Sequence, residues 1–124
     1  MKTVLVVDDE PVLRVLMREI LQDEGYAVID AADGRSMLEL LQGVHPDLVL
    51  MDVMMPGVDG REAYQVLRSR TDLPDLPVVM MSAAVLPSKL DPSIAAFLRK
   101  PFDLTELIEL VARLIGSPDE DGKV

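Results

Sequence analysis

A chain of 124 residues makes one domain, long enough to bury roughly two-thirds of its unfolded surface without disulfide or metal staples. Its 22 acids against 12 Lys and Arg give a net charge of −10, which argues against direct nucleic-acid binding, and the absence of cysteine rules out disulfides and thiolate metal sites. Although 49% of the residues are apolar, no run approaches the roughly 20 that span a bilayer, so a soluble cytoplasmic protein without membrane contact is expected.

Thr3 to Val7 is β-branched and apolar on both faces, the pattern of a central parallel strand. It runs into Asp8-Asp9-Glu10-Pro11. Proline suits the first turn of a helix and acids favour the positive end of its dipole, so a helix begins near Glu10 or Pro11. Val12, Leu13, Leu16, Met17, Ile20 and Leu21 supply its apolar face and Gly25 stops it. Ala27 to Ala31 reads as a second strand. Asp33-Gly34 marks a turn, and Asp33 to Gly43 forms a helix with Met37, Leu38, Leu40 and Leu41 inward.

After the His45-Pro46-Asp47 loop, the apolar run Leu48 to Met51 leads straight to Asp52, where Met55-Pro56-Gly57 and Asp59-Gly60 break the chain. Asp52 therefore stands at the exit of a buried strand. Arg61 to Arg70 is a helix with Ala63, Val66 and Leu67 as its apolar face, and Pro77 to Met81 is a fourth strand running into Ser82. Pro87 and Pro92 leave room for only a short helix between Ala83 and Pro92. Ala95 to Arg99 forms a fifth strand ending at Lys100-Pro101. Asp103 begins a closing amphipathic helix through Leu104, Leu107, Ile108, Val111, Leu114 and Ile115, ended by Gly116. Residues 1–116 thus form the domain. Residues 117–124, with Asp119-Glu120-Asp121, are expected to be a flexible acidic tail too short to fold into an output domain.

Strands alternating with helices imply an α/β fold, a doubly wound parallel sheet covered on both faces, whose strand exits share one edge. Gathered there are Asp8, Asp9, Asp52, Ser82 and Lys100. Ligands bind outside the carboxyl ends of such strands. Three adjacent carboxylates repel one another and call for a hard divalent cation, Mg²⁺ with Mn²⁺ as a substitute. A lysine and a hydroxyl beside that cation suit a phosphoryl group, and Asp52 can be the nucleophile that forms an acyl phosphate. Asp8, Asp9 or Lys100 alone is better read as a cap or a surface ion pair; five chemically matched residues at successive exits are not.

The chain resembles a response-regulator receiver domain of the chemotaxis type over nearly all its length. The match lies in Val6-Val7-Asp8-Asp9-Glu10-Pro11, in Leu50-Met51-Asp52-Val53-Met54-Met55-Pro56-Gly57-Val58-Asp59-Gly60, in Met80-Met81-Ser82-Ala83, and in Phe97-Leu98-Arg99-Lys100-Pro101-Phe102. The resemblance implies a flavodoxin-like three-layer sandwich with strand order 2-1-3-4-5. It implies an acid pair at Asp8 and Asp9 for Mg²⁺, phosphoacceptor Asp52, and the Met54 backbone carbonyl in the metal shell. Ser82 and Lys100 would hold the phosphoryl group, and Lys100-Pro101 would be cis. It further implies a switch in which the Ser82 hydroxyl is drawn toward the phosphoryl group and Phe97 turns inward, its motion governed by packing because it lacks a hydroxyl.

Ser82 and Lys100 are 18 residues apart, several fewer than the family pattern implies, which shortens the fourth helix. The family's usual dimer and output face, built on its fourth helix, fifth strand and fifth helix, is placed in doubt, so a monomer or weak dimer is expected. Met54 and Ala84, each two residues past an active residue, are apolar and offer nothing to orient an attacking water. His45 reads as a surface loop residue at the opposite edge. The leading function is a single-domain response regulator of a two-component phosphorelay, fed by a histidine kinase or histidine phosphotransfer protein and signalling to a separate protein target. It would catalyse its own phosphorylation and slow dephosphorylation without being a turnover enzyme. The rivals are a Mg²⁺-dependent phosphohydrolase, for which Val53, Met54 and Met55 supply no second acid, and a non-phosphorylated pseudo-receiver interaction module.

Overall fold

The computed structural model describes residues 1–118 apart from Thr71 and Pro74; the expected acidic tail at Asp119-Glu120-Asp121 lies outside the described residues. Among the described residues the chain forms five strands, β1 (Thr3–Val7), β2 (Ala27–Ala31), β3 (Leu48–Asp52), β4 (Val78–Ser82) and β5 (Ala96–Arg99). Four α-helices connect or close them: α1 (Pro11–Asp23), α2 (Gly34–Leu40), α3 (Gly60–Arg68) and α4 (Leu104–Ile115). The strands pair in parallel in the order β2-β1-β3-β4-β5, the expected doubly wound arrangement.

Side chains alternate across the pleat, so each central strand feeds two cores. Leu5, Val7, Val49, Met51, Val78 and Met80 face Met37, Leu41, Ala63, Tyr64 and Leu67 of α2 and α3 and their flanks. Val4, Val6, Leu48, Leu50, Val79 and Met81 face Met17 and Leu21 of α1 and Leu107, Leu110 and Val111 of α4. All five positions of β3 and all five of β4 are buried, which is why these strands read as unbroken apolar runs.

Local chemistry sets the helix starts. Pro11 occupies the first turn of α1. Asp33, Asp59 and Asp103 each accept a hydrogen bond from the backbone N–H three residues on, at 2.7, 3.0 and 2.8 Å. Gly25 and Gly116 follow α1 and α4 with φ of 102° and 81°, a region that favours glycine at helix ends.

Three helical faces differ from the sequence expectation: on α4, Leu104 is 40% exposed and Leu110, which the pattern omitted, is buried. On α1 the inward row is partly buried Leu13 and buried Met17 and Leu21, four residues apart, whereas Val12 is 81% and Leu16 40% exposed. Val12 and Leu16 lie one step further round the helix than the sheet reaches. On α3 the buried set is Ala63, Tyr64 and Leu67, with Val66 47% exposed. Tyr64 takes the place the pattern gave to Val66.

The segment expected to hold a short fourth helix contains, among α-helices, none: it makes one 3-10 turn at Pro87–Lys89. Each flanking proline removes a donor and restricts the residue before it, so no longer ladder forms. The segment is instead tied to α3 by a directional chain. Arg68 Nε donates to the Tyr64 hydroxyl at 2.9 Å, which shares a 2.6 Å hydrogen bond with Ser93 Oγ, and Ser93 Oγ donates to Asp91 at 2.7 Å. The carboxylate can only accept, so Tyr64 donates to Ser93. Tyr64→Phe breaks the chain in the middle and is expected to cost about 1–2 kcal/mol in urea denaturation, against near neutrality if the hydroxyl carries nothing.

Candidate functional site

Asp8 is the residue just past β1, and its side chain is fully buried. Its Oδ1 accepts from the Glu10 backbone N–H at 2.9 Å and its Oδ2 accepts from Lys100 Nζ at 2.7 Å. Asp52 ends β3 at 5% exposure, with its Oδ2 3.4 Å from the same ammonium. Lys100, just past β5, also reaches Glu10 Oε1 at 3.2 Å. One cation therefore bridges carboxylates from the exits of β1 and β3.

Burial and the neighbouring Asp8 charge push the Asp52 carboxyl up to about 6, in spite of Lys100 and a backbone hydrogen bond from Met54. Burial alone would depress the Lys100 ammonium, but the hydrogen bond and charge of Asp8, then Asp52 and Glu10, hold it above its ordinary value. The site is thus short of positive charge. Carboxylate oxygens of Asp8, Glu10 and Asp52 lie within 4.8 Å of one another. An all-oxygen donor set in which one acid raises another suits a hard divalent ion, and the described side chains fit that group.

Asp9 is exposed at the rim, lining with Asp52, Met54, Ser82, Ala84 and Lys100 an open cavity of about 290 Å³. The close acidic trio therefore contains Glu10, which the expected ligand set omitted. Beside Pro11 it read as a helix-start residue; the signal was the run of three acids directly after a strand. Ser82 is buried at the end of β4, and its hydroxyl accepts from the backbone N–H groups of Ala84 and Val85 at 3.0 Å each. Phe97 is half-buried against the core on the α2 and α3 face, its ring 5.9 Å from the Arg99 guanidinium. The Lys100–Pro101 peptide is cis. His45 is exposed before β3, at the edge away from these groups.

The response regulator receiver domain family matches residues 4–112. The chain belongs to that family. Receivers similar to it include the response regulator MprA of Mycolicibacterium vanbaalenii, 40% identical over 94% of this chain and 52% of that protein. The chain therefore spans about half the length of the curated relatives it matches. Chemotaxis protein CheY4 of Vibrio cholerae superposes with a TM-score of 0.85 at 32% identity, covering 92% of this receiver and 98% of that chain. Response regulator TrrA of Thermotoga maritima, solved in complex with Mg²⁺-BeF, gives a TM-score of 0.83 at 35% identity, covering 92% and 99%. These likenesses place the receiver among proteins of two-component signalling. Among its described residues no helix is long and apolar enough to cross a membrane.

Proposed function

We propose that this receiver is a phosphorylation switch in which Asp52 accepts a phosphoryl group from a phosphohistidine of a histidine kinase or phosphotransfer protein. The observation that carries the reading is the single Lys100 ammonium set between buried Asp8 and Asp52 at the floor of an open cavity. Asp52, with a carboxyl near 6, is predominantly ionised at pH 7 yet poorly solvated, which suits a nucleophile. One of its oxygens forms the new bond to phosphorus as the donor's N–P bond breaks, and the electron pair stays on the imidazole. Lys100 would leave part of its hold on Asp8 to neutralise the incoming oxygens, and the Ser82 hydroxyl would donate to one of them.

Asp8 and Asp52, with Asp9 and Glu10 at the rim and the Met54 backbone carbonyl, would hold Mg²⁺ or Mn²⁺. When bound, the ion supplies charge neutralisation for the transferring group. Drawing Ser82 Oγ toward the phosphoryl group would release the Ala84 and Val85 N–H groups, loosening the segment before β5, and Phe97 would then repack inward. With only a 3-10 turn between β4 and β5, a monomer or weak dimer that signals through protein–protein contacts is the expected form.

Phosphotransfer from a panel of autophosphorylated histidine kinases, with Asp52→Asn as control, tests the reading. Transfer to the wild type alone supports it; transfer to neither, or equally to both, overturns it. Because Met54 and Ala84 line the cavity without a polar group to orient water, the acyl phosphate is expected to persist for minutes or longer. Decay of the isolated phosphoprotein within seconds would contradict that.

A further inference from the structure

We infer that Arg14 is a positioning residue for the acid site: it fixes the main chain of Asp8 and, through it, the aim of the carboxylate that meets Lys100 and Asp52. The inference rests on the Mg²⁺-dependent phosphoacceptor reading above and assigns a role to a residue outside the site cavity.

Strand pairing of β1 ends at Val7, opposite Ala31 on β2 and Met51 on β3. Asp8 stands one residue past those pairs, and its direction depends on what holds it there. Its N–H donates to the Ala31 carbonyl at 3.2 Å. Its own carbonyl accepts from Arg14 Nη1 at 2.7 Å, a charge-assisted hydrogen bond. Arg14 lies on α1 with 20% of its side chain exposed, and its Nε is 3.4 Å from Asp30 Oδ2 on β2. The other Asp30 oxygen takes Arg18 Nη2 at 2.9 Å.

One guanidinium therefore joins α1, the exit of β1 and β2 around the backbone of a buried acid. Only a planar fork with donors on several nitrogens can hold a carboxylate and a carbonyl together in this way; a lysine ammonium is a single point charge. With the Asp8 carbonyl fixed, both carboxylate oxygens are committed, one to the Glu10 N–H and one to Lys100. Loss of Arg14 leaves the buried carbonyl without its charged donor and lets the residue turn, so the carboxylate that gathers with Glu10 and Asp52 is no longer preset for a cation. Arg18 shares the Asp30 ion pair but serves Asp30 rather than the Asp8 carbonyl, which separates positioning from mere stability.

The test compares Arg14→Gln and Arg18→Gln in the full chain, reading the Mg²⁺ Kd by calorimetry, Tm by circular dichroism, and the Mg²⁺ dependence of phosphorylation by acetyl phosphate. Arg14→Gln is expected to raise the Mg²⁺ Kd about tenfold, the lower end for loss of an outer partner of a metal ligand. The Mg²⁺ concentration for half-maximal phosphorylation should rise by the same factor, with the rate recovered at saturating Mg²⁺. Arg18→Gln should lower Tm and leave the Kd unchanged. An unchanged Kd in Arg14→Gln, or equal weakening by both variants, overturns the inference. Should Arg14→Gln fail to fold, Arg14→Lys keeps the charge but loses the fork that holds the Asp8 carbonyl and Asp30 together, and an unchanged Kd there also counts against it. A wild-type chain that binds Mg²⁺ but takes up no phosphoryl group defeats the phosphoacceptor reading while leaving the Kd comparison intact.

Discussion

Asp52→Asn is expected to make the metal-free protein more stable at pH 7 and above, by about 3 kcal/mol. The Asp52 carboxyl titrates near 6 in the fold, against an ordinary value of 3.8, because burial and then the Asp8 charge oppose its ionised form. Between those values the folded chain holds the proton that the unfolded chain releases. Stability is therefore full below pH 4 as far as this group is concerned, and is lost as pH rises through 6. Asparagine keeps the shape and carries no charge, so the loss disappears. Urea denaturation in EDTA from pH 4 to 8 reads the difference directly. If the variant is no more stable than wild type at pH 8, the carboxylate is not held in an unfavourable state. The same comparison in Mg²⁺ should narrow the gap, since a bound cation stabilises the ionised form.

Gly60→Ala should destabilise the protein by about 3 kcal/mol, although alanine is the better helix former by up to about 1 kcal/mol. Gly60 is the first residue of α3, and its N–H donates to the Val53 carbonyl at 2.8 Å. A Cβ there would overlap the Asp52 carbonyl oxygen and lie 2.9 Å from Val53 Cα. Both are backbone atoms, so neither can swing aside as a side chain could. The start of α3 must lift away from the end of β3, disturbing the main chain of Asp52. At Gly43, by contrast, an added Cβ meets nothing within 4 Å, and Gly43→Ala should be neutral or slightly stabilising. Equal stability of the two variants in urea would show that the close approach costs nothing.

The parallel sheet was legible because β3 and β4 are buried on both faces and so appear as unbroken apolar runs ended by Asp52 and Ser82. The acid site was legible for a related reason: strand exits on one edge are predictable from alternating strands and helices, and their residues can be read off before any contact is known. What the pattern missed depends on distances it does not encode. Glu10 joins Asp8 and Asp52 because its longer side chain reaches back over the turn to Lys100. Tyr64 lies inward because the row Gly60, Ala63, Tyr64, Leu67 faces the sheet, and its hydroxyl finds Ser93 on a segment whose course no periodicity marks. The prolines showed that this segment could not hold a full helix; only the structure shows that it folds as one turn fastened to α3.

The central claim is that Asp52 is a phosphoacceptor served by Lys100 and a divalent cation. The most direct measurement is mass spectrometry of the intact chain after incubation with acetyl phosphate and Mg²⁺, followed by peptide mapping. A gain of one phosphoryl group is expected on the peptide containing Asp52, abolished by EDTA and by Asp52→Asn, and much reduced in Lys100→Ala. No gain, or the same gain in Asp52→Asn, would contradict it.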